Sequence, residues 1–240
     1  MNTSNMFLHT HPYEPFLFQD ATKLIVGTLP PPRFTFGDLK EGDVNFCYGS
    51  RDGQLWPILD RIFELNLDFE STEKAIRQRM DFLKERKIGI CDIVQSAERS
   101  KIDASDLGME NILLRDMLGY IKRYPKVDTL LFTGGNSKNG PEYFFRKYLK
   151  EHGISLEPVS NEVPRVHQFV VPCANLETSS KTIVKSKIKK ERIIKTVSLT
   201  APSGAANRAV GSLEKYKMMK DKNPEFNTID FRVLQYKEFF

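Results

Sequence analysis

Apolar residues along this chain come in two kinds of run: short continuous ones, and ones spaced three and four residues apart. The continuous runs lie at 23–28, 88–93, 128–133, 168–172 and 196–200. They are rich in Ile, Val, Leu and Phe and predict strands buried on both faces. Helical patterns lie between them. Over 54–65, Leu55, Ile58, Leu59, Ile62 and Phe63 form the stripe that a core-facing helix buries. Residues 71–86, with Ser71 as cap and Ile76, Met80 and Leu83 inside, predict a second helix. Leu114, Met117, Leu118 and Ile121 mark a third, and Pro141 suits the first turn of a fourth that runs to about 150. The lysine-rich stretch at 181–195 reads as a fifth helix, and 205–219 as a sixth with Ser203 as candidate cap. The polar segment 94–111 reads as an ordered surface loop. Strands alternating with helices build parallel βαβ units. The predicted fold is therefore α/β, a three-layer αβα sandwich whose central, mainly parallel sheet has four or five strands.

No internal repeat or low-complexity linker interrupts the pattern, so one domain over 1–240 is expected, with 1–15 as an N-terminal arm. The tail 220–240 is expected to pack on the body, because Phe226, Phe231, Phe239 and Phe240 are costly to expose together.

Composition narrows the class of protein. The chain is 40% hydrophobic and 28% charged, as soluble globular proteins are. It has no apolar run of about 18 residues, so no membrane span is expected. Met1-Asn2-Thr3-Ser4-Asn5 lacks the basic start and apolar stretch of a secretory signal. Cys47, Cys91 and Cys173 match neither a disulfide framework nor metal-ligand spacing, and suit a reducing cytoplasm. The four histidines show no metal spacing either, and His9-Thr10-His11 reads as part of the arm. No metal and no cofactor are expected. Gly134-Gly135-Asn136-Ser137 is not followed by Gly-Lys-Ser/Thr, which excludes a phosphate loop of that type.

The net charge of +5 is a mild lean toward a polyanionic partner. It is concentrated: Lys181, Lys185, Lys187, Lys189, Lys190, Arg192 and Lys195 fall within fifteen residues. Either this run is a solvated helix face, or Lys187, Lys189 and Lys190 contact the phosphates of DNA.

Three loops that follow strand-like runs carry the candidate chemistry. Lys23-Leu24-Ile25-Val26 leads into Gly27-Thr28-Leu29-Pro30-Pro31-Pro32, and Phe46-Cys47-Tyr48-Gly49-Ser50-Arg51-Asp52-Gly53 opens a helix carrying Trp56. Thr196-Val197-Ser198-Leu199 leads into Thr200-Ala201-Pro202-Ser203-Gly204-Ala205-Ala206-Asn207-Arg208. In open α/β sheets, loops at the carboxyl ends of strands converge on one crevice where ligands bind.

In order and spacing, these loops resemble the uracil-DNA glycosylase superfamily, nearest its hypoxanthine and mismatch-specific branches. Cys91-Asp92-Ile93-Val94-Gln95-Ser96-Ala97-Glu98-Arg99 and Phe132-Thr133-Gly134-Gly135 are similar to further segments of the hypoxanthine branch. The resemblance covers about residues 10 to 210. It implies an αβα sandwich that flips a damaged base from DNA and hydrolyses its N-glycosidic bond; a monomer is expected.

Carried over residue by residue, the resemblance assigns the base pocket to Gly27, Thr28, Leu29, Tyr48 and Thr133, with Phe46 in reserve. Tyr48 is read as stacking on the base or as an ordinary half-buried aromatic. Pro202, Ser203 and Gly204 form the loop that would wedge into the duplex, with Asn207 and Arg208 contacting DNA. Ser203 keeps its second reading as a helix start. The family's usual amide residues are missing: Leu29, Gly53 and Thr133 stand in their places. Asp52, beside Gly53, is the remaining candidate for orienting water, and capping of the helix that follows is its competing reading. Arg99 is read as a partner of Asp92 rather than a DNA contact. Two functions stay open: excision of uracil or hypoxanthine, or binding of DNA or a nucleobase without cleavage.

Overall fold

Leu24, Ile25, Val26, Leu130, Leu131 and Phe132 lose all contact with water, as central strands covered on both faces must. The computed structural model describes residues 6–102, 106–172 and 191–240. Its strands are β1 (Phe7–Thr10), β2 (Lys23–Val26), β3 (Ile88–Ile90), β4 (Val94–Arg99), β5 (Glu110–Leu114), β6 (Thr129–Phe132), β7 (Glu157–Ser160), β8 (Arg165–Pro172) and β9 (Glu191–Ser198). The main sheet has six strands in the order β3-β2-β6-β9-β8-β7. Its first four are parallel, with Ile25 level with both Ile90 and Leu131, and Leu131 level with Val197. The last two pairings are antiparallel.

The helices are α1 (Pro32–Phe36), α2 (Leu55–Phe63), α3 (Glu73–Glu85), α4 (Met117–Arg123), α5 (Pro141–Glu151), α6 (Asn207–Gly211), α7 (Glu214–Lys222) and α8 (Thr228–Lys237). Side chains alternate across the sheet. Leu24, Val26, Leu130 and Phe132 therefore pack on α4 and α5, while Ile25, Leu131 and Val197 pack on α2, α3 and α8. This is the three-layer αβα sandwich. In the tail, Tyr236 of α8 is fully buried and stacks on Phe240 with ring centres 5.6 Å apart.

The structure departs from the sequence reading in four places. The main sheet exceeds the expected four or five strands because β7 exposes Glu157, Pro158 and Val159 and so carries no apolar run. The surface loop expected over 94–111 is instead largely paired: β4 and β5 join β1 in a second, antiparallel sheet. Only Val94, Ala97 and Arg99 of β4 are buried, so hydrophobic patterning could not reveal it. The stretch at 181–195 is strand rather than helix from Glu191 onward, and its remainder lies outside the described residues. The helix expected over 205–219 is broken into a short turn, α6 and α7.

One cap also differs. Thr72, rather than Ser71, accepts the Ala75 amide at 3.2 Å to start α3, while Ser71 donates to the Asp43 carbonyl at 2.7 Å.

Candidate active site

The loops leaving the carboxyl ends of β2, β3, β6 and β9 meet around one cleft of about 450 Å³. Gly27, Thr28, Leu29, Tyr48, Asp52 and Thr133 line it together, and Pro202, Ser203 and Gly204 form its opposite wall. The walls are tied to each other: Gly53 and Ser203 form an antiparallel bridge, and the Gln54 amide donates to the Pro202 carbonyl at 2.9 Å.

The C-terminal helix α8 holds that second wall. Arg232, fully buried, donates to the carbonyls of Ala201 at 2.8 Å and Ser203 at 3.1 Å, and to Asn207 Oδ1 at 2.9 Å. Gln235 Oε1 accepts from the Thr200 amide at 2.8 Å, and Tyr236 donates to the Thr200 carbonyl at 2.9 Å. A guanidinium presents its donors as a rigid fork, so one side chain fixes a whole turn of loop.

The floor of the cleft is organised by Asp92, just beyond the end of β3. Its Oδ1 accepts from the Gly27 amide at 2.8 Å and from the Tyr48 hydroxyl at 2.9 Å. Its Oδ2 lies 3.0 Å from His11 Nε2. Because His11 Nδ1 accepts the Tyr13 amide at 3.1 Å, the ring proton sits on Nε2 and points at Asp92. The Tyr48 hydroxyl also lies 3.2 Å from Thr133 Oγ1. Tyr48 reaches this position from a left-handed backbone, with φ of 60°. Burial, and then the Asp92 charge, push the Tyr48 pKa well above its usual value, so it remains a phenol. The same two influences raise the buried Cys47 thiol.

The mouth is different. The Asp52 carboxylate is 74% exposed and its Oδ2 lies 3.6 Å from Arg33 Nη2. The residue preceding α2 is Gln54, whose side chain makes no bond to the helix amides, and Asp52 makes none either. Arg33 is oriented from below by the buried Asp43, through Nε–Oδ2 and Nη2–Oδ1 bonds of 2.8 Å each, and by Ser50 Oγ at 2.8 Å. Burial alone would raise the Asp43 carboxyl. Arg33 and the amides of Arg51 and Lys40 outweigh it and bring the pKa down to about 2. Gln54 also lines the cleft, and its Oε1 is buried without a hydrogen-bond partner.

The other candidate residues fall elsewhere. Phe46 turns into the core, with its ring 5.9 Å from Phe16 and 6.2 Å from Trp56. Asn207 spends its side-chain oxygen on Arg232 and Thr228, while Arg208 is exposed on α6. Ser203 makes no side-chain cap bond. Lys187, Lys189 and Lys190 lie outside the described residues. Arg99 does not pair with Asp92: its Nε donates to His9 Nδ1 at 2.8 Å. Sequence reasoning missed Asp92 and His11 as site residues. The one available signal was an acidic residue set inside the apolar run Ile90-Cys91-Asp92-Ile93.

Among the described residues, no group of three or more His, Cys, Asp or Glu is placed to hold a metal ion, and no helix is long and apolar enough to cross a membrane. No family model matches the chain, and no curated protein sequence matches it. Among solved structures, the chain is similar to the solution structure of a "putative Uracil DNA glycosylase" from Methanosarcina acetivorans. The two are 15% identical with a TM-score of 0.46, over 94% of this chain and 99% of that one. At that level of likeness, the chemistry of this chain rests on its own geometry.

Proposed function

We propose that the cleft receives a base flipped out of DNA, and that the protein is a base-excision glycosylase acting on a deaminated base, uracil or hypoxanthine. What supports this reading is the meeting of Gly27–Pro30, Tyr48–Trp56 and Ala201–Asn207, the segments that carry the superfamily resemblance, around one cleft of about 450 Å³. That space suits a nucleobase and excludes a folded chain.

In this reading Tyr48 stacks on the base, and Thr133 with the backbone of Thr28 and Leu29 contacts its edge. Asp52, open to water at the mouth, orients the attacking water and supports the positive charge that grows on the sugar. The water oxygen bonds to the anomeric carbon as the carbon–nitrogen bond breaks, and the electron pair of that bond leaves with the base. Pro202, Ser203 and Gly204 enter the gap left in the duplex, while Arg208 and Lys187, Lys189 and Lys190 meet phosphates.

The second reading, binding without cleavage, is favoured by one observation: Leu29, Gly53 and Thr133 leave the cleft without the amide side chains that the resembling families use. Single-turnover assays on duplexes containing uracil, hypoxanthine or xanthine separate the two. Release of any of these bases supports the enzyme. Tight binding without release supports the second reading, and failure to bind DNA discards both.

A further inference from the structure

The floor of the cleft carries a negative charge that a departing uracil would oppose. Three donors, the Gly27 amide, the Tyr48 hydroxyl and His11 Nε2–H, are aimed at the two oxygens of Asp92. That is the environment of a carboxylate rather than of a protonated acid. His11 reaches Asp92 through Nε2, its Nδ1 being taken up as the acceptor of the Tyr13 amide. Arg33, the cation at the mouth, is matched by the buried Asp43 below it, and Asp52 adds a further negative charge beside it. Among the residues that line the cleft, the carboxylates of Asp52 and Asp92 outnumber the one guanidinium, Arg33, and the buried Arg115 lies behind the floor, donating to the Tyr13 carbonyl at 2.7 Å.

Uracil leaves its sugar as an anion, so a carboxylate beneath it raises the barrier. A purine alkylated at N7 or N3 is a cation before cleavage and leaves as a neutral molecule. Its charge is attracted by Asp92 while bound and by Asp52 as it moves to the sugar. A cationic ring is also held more strongly beside aromatic rings, and Tyr13 and Tyr48 both line the cleft.

We propose that this cleft takes cationic N-alkylated purines as a further substrate class and releases them in preference to uracil, with Asp92 as the residue that sets the preference. The proposal rests on the glycosylase reading above. In the step itself, water oxygen bonds to the anomeric carbon as the bond to N9 breaks, the electron pair neutralises the base, and the water's proton passes to solvent.

The test measures kcat/KM, above the uncatalysed rate, on duplexes with a single N7-methylguanine, hypoxanthine or uracil. In the wild type, N7-methylguanine is expected to exceed uracil by roughly tenfold or more, and Asp92→Asn to shrink that ratio by a similar factor. The wild-type ranking needs no variant, so the proposal stays testable if Asp92→Asn does not fold. Release of uracil or hypoxanthine without N7-methylguanine overturns this proposal and leaves the glycosylase reading standing. A folded Asp92→Asn protein with an unchanged ratio removes Asp92 from the role. Release of no base at all overturns both readings together.

Discussion

The hydroxyl of Tyr48 occupies the space that a side chain at Gly27 would need: a Cβ built there would lie 2.2 Å from it. The same Cβ would come within 2.9 Å of Asp92 Oδ1 and 3.1 Å of Thr133 Oγ1. Glycine is required at this strand end because the whole floor of the cleft closes over it. Gly27→Ala is expected to expel the Tyr48 hydroxyl, cost about 1–3 kcal/mol, and abolish lesion binding. Urea denaturation and a DNA-binding titration check the two effects.

Asp52 is expected to matter for chemistry and not for stability. Its carboxylate is exposed and caps nothing, so Asp52→Asn and Asp52→Ala should each keep stability within about 0.5 kcal/mol of wild type. Both should lose most single-turnover base release while retaining affinity for lesion DNA. Full excision by both variants removes Asp52 from the reaction.

Arg232→Met should loosen the far wall of the cleft. It withdraws the fork from the Ala201 and Ser203 carbonyls and from Asn207, at about 3 kcal/mol or more through the acceptors left behind. The local signature is faster hydrogen exchange at the Gln54 amide, whose acceptor is the Pro202 carbonyl in that loop. Protection unchanged at Gln54 would show that α8 does not position the wall.

Acid should weaken the fold through His9. Burial, and then the Arg99 charge, lower its pKa from 6.5 to about 4, so the folded protein holds it neutral. Between those values the unfolded chain binds the proton and the folded chain does not. Stability is therefore full above about pH 6.5 and falls as pH drops toward 4, by an amount on the order of 3 kcal/mol. His9→Gln keeps an acceptor for Arg99 and should flatten the denaturation midpoint across that window. An equally steep profile in the variant would assign the loss to other groups.

Replacing Lys187, Lys189 and Lys190 by Gln should lower the salt dependence of DNA binding, because each phosphate contact releases condensed counterions. Three lost contacts would reduce the slope of log K against log salt by up to about 2.7. An identical slope would return the run to a solvated face.

Much of this architecture follows from sequence because its causes are local. The runs at 23–28 and 128–133 become the central strands β2 and β6 because no other arrangement buries Leu24, Ile25, Val26, Leu130, Leu131 and Phe132 so completely. The parallel register of β2 and β6 sends Gly27 and Thr133 to one edge of the sheet, and Tyr48 reaches that edge from the irregular segment between α1 and α2. Sequence alone therefore determined the layers and the strand ends that border the cleft.

What it could not determine was set by contacts between distant segments. β4 pairs through its backbone with β1, and polar side chains carry no record of that partner. Asp92 became the floor of the cleft only when His11, 81 residues away, turned its Nε2 proton toward it. The charge of the pocket is thus a tertiary property. A carboxylate acquires its role from the donors folded around it, and those come from β2, the Tyr48 loop and the N-terminal arm together.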